Sequence, residues 1–428
     1  MKKIFEIICL ILILIFILTS CNSNTSQIND EDIILPKLTE QEKNDIDSKD
    51  IISYNGELYI NLFYSLYKID NNTLILIYKD FQALKEIGGE FYGIKTGKNS
   101  YIDFTVNYSD MHDGIFINDS FAKIKPDGSE YEELAKINGG YHDYYYNESE
   151  SKFYINYIKL DTTDIEIFLF EYDLNANEKK EKENVMIPRY DLTYYENYIY
   201  YDVNNDNYAH DLYRVDYDGN VQLLCDDLQW NNEIEDAPNI IIKNDMIYYI
   251  SDYRGETAYN YSLNKMKTDG TDRQIVAKLK DCNKFQSYGD WLYIWGYDWD
   301  NHSTPCYIEK INFATGQKEA VNVPTDNIAC SFIGYGYFYQ KKYVEKISPH
   351  GEVDFKKLYF YNIENKKSDV LKFKNDIYDE ILYNGYKYIV IEIPDEPVKK
   401  NQHTSKYKYE VYKVKIGSTN IVKMETVK

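Results

Sequence analysis

Residues 211–224, DLYRVDYDGNVQLL, limit most sharply what this chain can fold into: two short alternating runs flank Asp218-Gly219. Asp-Gly between β-prone runs is a strong hairpin signal. A type I′ turn needs φ > 0 at both central positions, so such a turn is expected at Asp218 and Gly219. The same unit returns as SFAKIKPDGSEYEEL (120–134) and SLNKMKTDGTDRQIV (262–276). Looser copies read SLYKIDNNTLILI, FLFEYDLNANEKK, YIEKINFATGQKE, KLYFYNIENKKSD and EVYKVKIGSTNIV. Aligned on their leading apolar residue (Leu66, Phe121, Leu169, Leu212, Leu263, Ile308, Leu358, Val411), the copies recur every 43 to 55 residues. That is the period of propeller repeats.

An apolar-aromatic strand precedes each hairpin, centred on Tyr59, Tyr92, Tyr154, Tyr200, Tyr248, Tyr293, Phe338 and Tyr388. Most follow a tight-turn pair such as Asn55-Gly56 or Asn384-Gly385, with a weaker strand upstream. Each repeat thus supplies four strands, A to D, with short A–B and C–D turns. On strand C, Leu66, Leu212, Leu358 and Val411 fall on the face opposite Ile69, Val215, Tyr361 and Val414, beside a basic position (Lys68, Arg214, Lys413). A sheet apolar on both faces needs a neighbour on each side, and radial stacking that closes leaves only short edges. The expected fold is all-β, a single β-propeller of eight four-stranded blades, with seven the alternative count. Ile33-Ile34-Leu35 is a candidate outer strand for the last blade.

The N-terminus, MKKIFEIICLILILIFILTSC, has two lysines and an apolar run over 7–18, too short to span a bilayer. It has the length of a signal-peptide core. Leu18-Thr19-Ser20-Cys21 resembles the bacterial lipobox, which implies cleavage before Cys21 and a diacylglyceryl group on its thiol. The expected organisation is a lipoprotein signal peptide (1–20), a lipidated Cys21 with a flexible tether (21–50) and a β-propeller (51–428). As a coil the tether reaches on the order of 30 Å, and Thr39 and Glu42 have capping-box spacing. The address is extracytoplasmic, lipid-anchored to a bacterial cell membrane. Cys225, Cys282, Cys306 and Cys330 remain, without zinc-like spacing, and read as buried thiols with one disulfide possible.

The formal charge of −22 becomes −23 once residues 1–20 leave, because Lys2, Lys3 and Glu6 sum to +1. Such a body repels polyanions, so nucleic acid is not an expected partner. The 47 tyrosines suit half-buried strands.

Tyr248-Tyr249-Ile250-Ser251-Asp252, followed by LNKMKTDGTDRQIVAK, resembles a blade of the YWTD β-propellers of low-density-lipoprotein receptors. There a strand ending in that tetrapeptide precedes a hairpin with a D-G-type turn and a following basic residue. More broadly the chain is similar to bacterial, often clostridial, lipoproteins whose propeller is described as receptor-related. The resemblance covers most of 51–428 and is sharp in repeats four and five. It implies the fold and no activity.

Loops on a rigid scaffold concentrate function, and the long connections here join strands B and C. His112, His210, His302, His350 and His403 fall in them. In repeat four, Asp202, Asn204 and Asp206 match positions one, three and five of a calcium loop. Asn207 replaces the expected Gly, and Tyr213 occupies position twelve. A solvated polar loop is the plainer reading, and calcium is the only cofactor suggested. In repeat six, Asp298, Trp299, Asp300 and His302 combine a stacking ring with acids and an imidazole, a candidate ligand site. The connections of repeats seven and eight are basic (Lys341, Lys342, Lys346, Lys399, Lys400), which divides that end into acidic and basic arcs. No nucleophile elbow, zincin helix, P-loop or dinucleotide fingerprint occurs. The expected function is a non-enzymatic module that binds a protein or glycan through the B–C end. The alternative is a polysaccharide hydrolase or lyase using carboxylates or His at the channel.

Overall fold

A computed structural model describes residues 33, 35–39, 42–43, 47–97, 119–137, 139–158, 167–187, 192–204, 210–228, 240–255, 258–279, 284–296, 307–322, 328–342, 355–394 and 407–427. The first unit comprises Ile51–Tyr54, Glu57–Leu62, Ser65–Asp70 and Thr73–Tyr78 as strands A to D. Seven more antiparallel fours follow, over 81–136, 140–187, 193–228, 240–278, 284–320, 328–372 and 377–423. Units four and five merge into one sheet where Leu228 pairs with Ser251.

The repeat is built on a cross-strand pair. The strand-B tyrosine lies opposite a basic residue of strand C in six units: Tyr59 with Lys68, Tyr92 with Lys123, Tyr200 with Arg214, Tyr248 with Lys265, Tyr293 with Lys310 and Tyr388 with Lys413. In units one and two an acid two residues before the tyrosine, Glu57 or Glu90, completes the set. Tyr59 Oη donates to Glu57 at 3.0 Å while Lys68 reaches the same carboxylate at 2.5 Å. Arg214, Lys310 and Lys413 lie 4.2, 4.0 and 4.4 Å over the rings of Tyr198, Trp291 and Tyr386. Tyr59, Tyr92 and Tyr200 pack their rings between units while their hydroxyls bond Glu57, Glu90 and the Thr268 carbonyl.

Consecutive units pack face to face through eight apolar clusters, and the eighth joins the two ends of the chain. Leu66, Phe81 and Phe91 link units one and two; Leu212, Leu228 and Tyr249 link four and five. Ile60, Ile69 and Leu74 of unit one meet Ile381, Tyr388, Val390 and Val411 of unit eight. The ring is closed, as a β-propeller. The strand-C alternation holds throughout: Leu66 faces unit two and Ile69 unit eight, while Leu358 faces unit eight and Tyr361 unit six. Strand B of unit seven is displaced by one residue from expectation. Phe338 faces back to unit six and Tyr339 takes the forward position, and with a period of two such a shift exchanges the faces.

The Asp-Gly hairpins are not type I′ turns. Gly128, Gly219 and Gly270 have φ of 82°, 89° and 84°, but Asp127, Asp218 and Asp269 do not take positive φ. Gly128 N donates to Lys125 O at 2.8 Å and Lys125 N to Ser129 O at 2.9 Å, a type I turn followed by a left-handed glycine. The aspartate oxygens hold this longer loop, as Asp127 Oδ1 does for Ser129 N at 2.9 Å. The I′ geometry appears at the A–B turns instead, at Asn55-Gly56, Gly88-Gly89, Asn244-Asp245 and Asn384-Gly385.

Two devices fasten the seam between units eight and one, and Ile33-Ile34-Leu35 as an outer strand is neither of them. After the last D strand, Glu425–Val427 adds to strand D of unit one in parallel. From the other terminus, the described part of 33–50 straps the A–B turns of units six to eight. Leu35 stands against Gly385 and Pro36 against Gly336, and Leu38 is 9% exposed in the cluster between units seven and eight. The capping box forms: Thr39 N donates to Glu42 Oε2 at 2.8 Å and Glu42 N to Thr39 Oγ1 at 3.2 Å. Glu42 abuts Gly289 of unit six. Asp47 Oδ1 accepts from Tyr335 Oη at 2.8 Å and Asn384 N at 3.1 Å, and Ser48 N donates to Leu382 O at 2.7 Å.

Candidate ligand-binding end and channel

Strand A is the innermost of each four. Its partners in neighbouring units are inner strands, whereas strands D carry exposed side chains such as Val221 and Ile275. Tyr144 Oη of unit three donates to Leu84 O of unit two at 2.7 Å. Gln286 of unit six donates through Nε2 to Ile333 O of unit seven and accepts from Ile333 N, both at 3.0 Å. Asn61 makes the same double contact with Ala83 at 2.7 and 2.9 Å. These amide staples satisfy the bare inner edge that a sheet otherwise leaves open.

Phenols crowd these inner strands with acids beside them: Tyr141 and Tyr144 pack against the cluster between units two and three, and Tyr194 against that between units three and four. Asp143 lies on strand A of unit three beside Tyr141 and Tyr144. Burial above all, and then Asp143, holds the hydroxyls of Tyr141 and Tyr194 well above their ordinary range. The same causes, with Asp50 behind them, push Tyr144 up to about 12. Asp50 adds to the rise of Tyr141 and Tyr144 in unit three and of Asp379 in unit eight. Asp379 touches water but is crowded by protein, and that desolvation, followed by Asp50 and Glu380, raises its carboxyl.

Next to Asp379 lies an ionic triad in which Lys387 is buried and Glu380 and Lys341 are partly so. Burial alone would raise the Glu380 carboxyl, but Lys387 and Lys341 together outweigh it and bring it down to about 2. Lys341 Nζ is 2.7 Å from Glu380 Oε1, and Lys387 bonds the second oxygen while lying 4.3 Å over the Tyr339 ring. Lys341 is thus turned inward and does not add to a basic surface arc.

The ends of the ring differ in kind. Strands A and B are joined by 55–56, 88–89, 148–151, 196–197, 244–245, 289–290, 335–336 and 384–385, nearly all two residues. Strands B and C are joined by connections as unequal as 63–64 and 96–119. In the two-residue connection of unit one, Phe63 and Tyr64 take φ of 51° and 56°, an uncommon geometry for bulky residues.

Of the residues singled out in the sequence, Asp202 and His210 meet. His210 opens strand C rather than lying in a loop, and both side chains are buried, with His210 Nδ1 bonded to the Asp202 carboxylate. Asn204 ends strand B, opposite His210. Asp206, Asp298, Trp299, Asp300, His302 and Cys21 lie outside the described residues. Among the described residues no three His, Cys, Asp or Glu side chains converge as a metal site. Cys225 is a free buried thiol, pushed by burial up to about 12 and so unreactive. Asp50, Tyr141, Asp143, Tyr194 and Asp379, on or just before strand A, carry no motif. Their only signal is a charge inside a β-patterned run, as in HDYYY and YDEILY.

No family model matches the chain, and no curated protein matches it. Among solved structures it is similar to a prolyl endopeptidase (8% identity, TM-score 0.45, 79% of this chain and 48% of that one). The chain spans about half the length of that protein. It is also similar to the β-propeller domain of the Trilobed protease from Pyrococcus furiosus (10%, TM-score 0.43, 79% and 95%). A third is an oligogalacturonate lyase from Vibrio parahaemolyticus (11%, TM-score 0.39, 65% and 82%).

Proposed function

We propose that this chain is a membrane-anchored, extracytoplasmic eight-bladed propeller that binds a protein or glycan through its B–C end, without catalysis. One observation carries the reading: the A–B turns are uniform and tight, while the B–C end bears unequal connections. A scaffold constant on one side and variable on the other is the usual arrangement of recognition proteins. The anchor is the lipid expected on Cys21. Crosslinking of the full-length protein on intact cells tests the reading, comparing it with a chain whose 297–306 connection, carrying Asp298, Trp299, Asp300 and His302, is replaced by Asn-Gly. The partner should be lost or weakened while the fold persists. An unchanged set of partners after each long B–C connection is shortened in turn would refute it.

A second reading, a polysaccharide hydrolase or lyase, is favoured by Asp379, whose raised carboxyl lies near Asp50. A general acid needs such a shift. Release of reducing or unsaturated ends from a polysaccharide, abolished by Asp379→Asn, would support it. No release from any polysaccharide bound by the protein would exclude it.

A further inference from the structure

Exposed rings gather at one place on the B–C end. Tyr378 is 59% exposed, Phe355 43% and Tyr64 40%. Tyr378, near the start of strand A in unit eight, packs on Tyr409 with centroids 5.2 Å apart. Tyr409 in turn stacks on Phe63 of unit one at 4.1 Å and 26°. Phe355 adjoins them from unit seven, where Ile377 N donates to its carbonyl at 2.9 Å. The rings span the seam where the ring closes. Two of them, Phe63 and Tyr64, are held at positive φ, a conformation costly for aromatic residues and one that tends to mark working sites.

Exposed Asp376 and Asp379 lie beside the rings, and Glu392 is within bonding reach of Tyr409. Apolar ring faces edged by carboxylates suit a ligand with a C–H face and a rim of hydroxyl donors. The charge of −22 disfavours a polyanion.

We propose that Phe63, Tyr64, Tyr378 and Tyr409 form a stacking platform for a glycan of neutral or amino sugars. This rests on the reading that the B–C end binds a partner, and it names the class.

Affinity electrophoresis of the full chain in gels containing mixed-linkage β-glucan or glycol chitosan tests it, with polygalacturonate as the anionic comparison. The wild type should be retarded by a neutral or amino polysaccharide and not by polygalacturonate. Tyr378→Ala with Tyr64→Ala should weaken that retardation about tenfold, the effect of losing two stacked rings. Both rings are exposed, so melting should be unchanged. Val221→Ala, an exposed change on the outer strand of unit four, should have no effect on retardation. No retardation in either gel, or equal retardation of the double variant, overturns the platform. If crosslinking still captures a partner through the B–C connections, the broader reading survives that failure. Loss of a captured protein in the double variant, without glycan binding, replaces the glycan by a protein and also overturns the proposal.

Discussion

The two ends of the ring obey different rules. At the A–B end the backbone decides: two-residue turns at positive φ, glycines against neighbouring units, and a strap crossing three units. At the B–C end side chains are displayed, connection lengths vary, and aromatic rings remain in water. A propeller can leave one end free to change only if the other holds the geometry.

The largest effect is expected between the ends, at the inner edge, and sets the scale. Glu380→Gln removes the carboxylate that Lys341 and the buried Lys387 share and should cost about 3 kcal/mol in denaturant unfolding. The wild-type carboxyl, brought from its ordinary 4.5 down to about 2, stabilises the fold above about pH 4.5. That contribution is lost as pH falls toward 2. An acid limb that stays equally steep between those values in Glu380→Gln would show that the triad does not hold units seven and eight.

At the A–B end, Gly128→Ala should cost about 2 kcal/mol or more. Its Cβ would stand 2.5 Å from Ile77 O, a backbone atom, at a φ of 82°. Leu38→Ala, loosening the strap, should cost about 2 kcal/mol, the low end for a buried leucine at an edge. Gly270→Ala should cost only about 1 kcal/mol, because its nearest neighbour is the movable Leu224 Cδ2 at 3.1 Å. Equal losses at Gly128 and Gly270 would break the distinction between backbone and side-chain obstruction.

The smallest effect is expected at the B–C end. Shortening 395–406 to a two-residue turn should shift stability by less than about 1 kcal/mol, since loop length weighs only logarithmically. A loss as large as that of Gly128→Ala, measured by calorimetry, would erase the contrast between the ends.

What the sequence disclosed was whatever repeats locally. The leading residues of strand C, the basic position beside them and the tyrosines of strand B are each set by a period of two, and they define the units and both packing faces. Three things escaped. The Asp-Gly turns read as I′ from their dipeptide alone, yet their type depends on how Asp127 and Asp216 bond the residues that follow. The strap depends on Asp47 finding Tyr335, 288 residues away, a contact no local pattern announces. The acids and phenols of the inner edge sit on or just before strand A, a strand without a shared motif, and acquire meaning only when neighbouring units meet. Asp202 and His210, chosen for loop chemistry, became a buried pair because the strands extend further than their turn residues suggest.

The strap also fixes how the molecule would hang. The chain enters the body at the A–B turns, so a lipid on Cys21 would suspend the ring by that side and turn its rings of tyrosine and phenylalanine toward the surroundings. A load on that lipid would pass first through Leu35 and Pro36 into the A–B turns of units eight and seven.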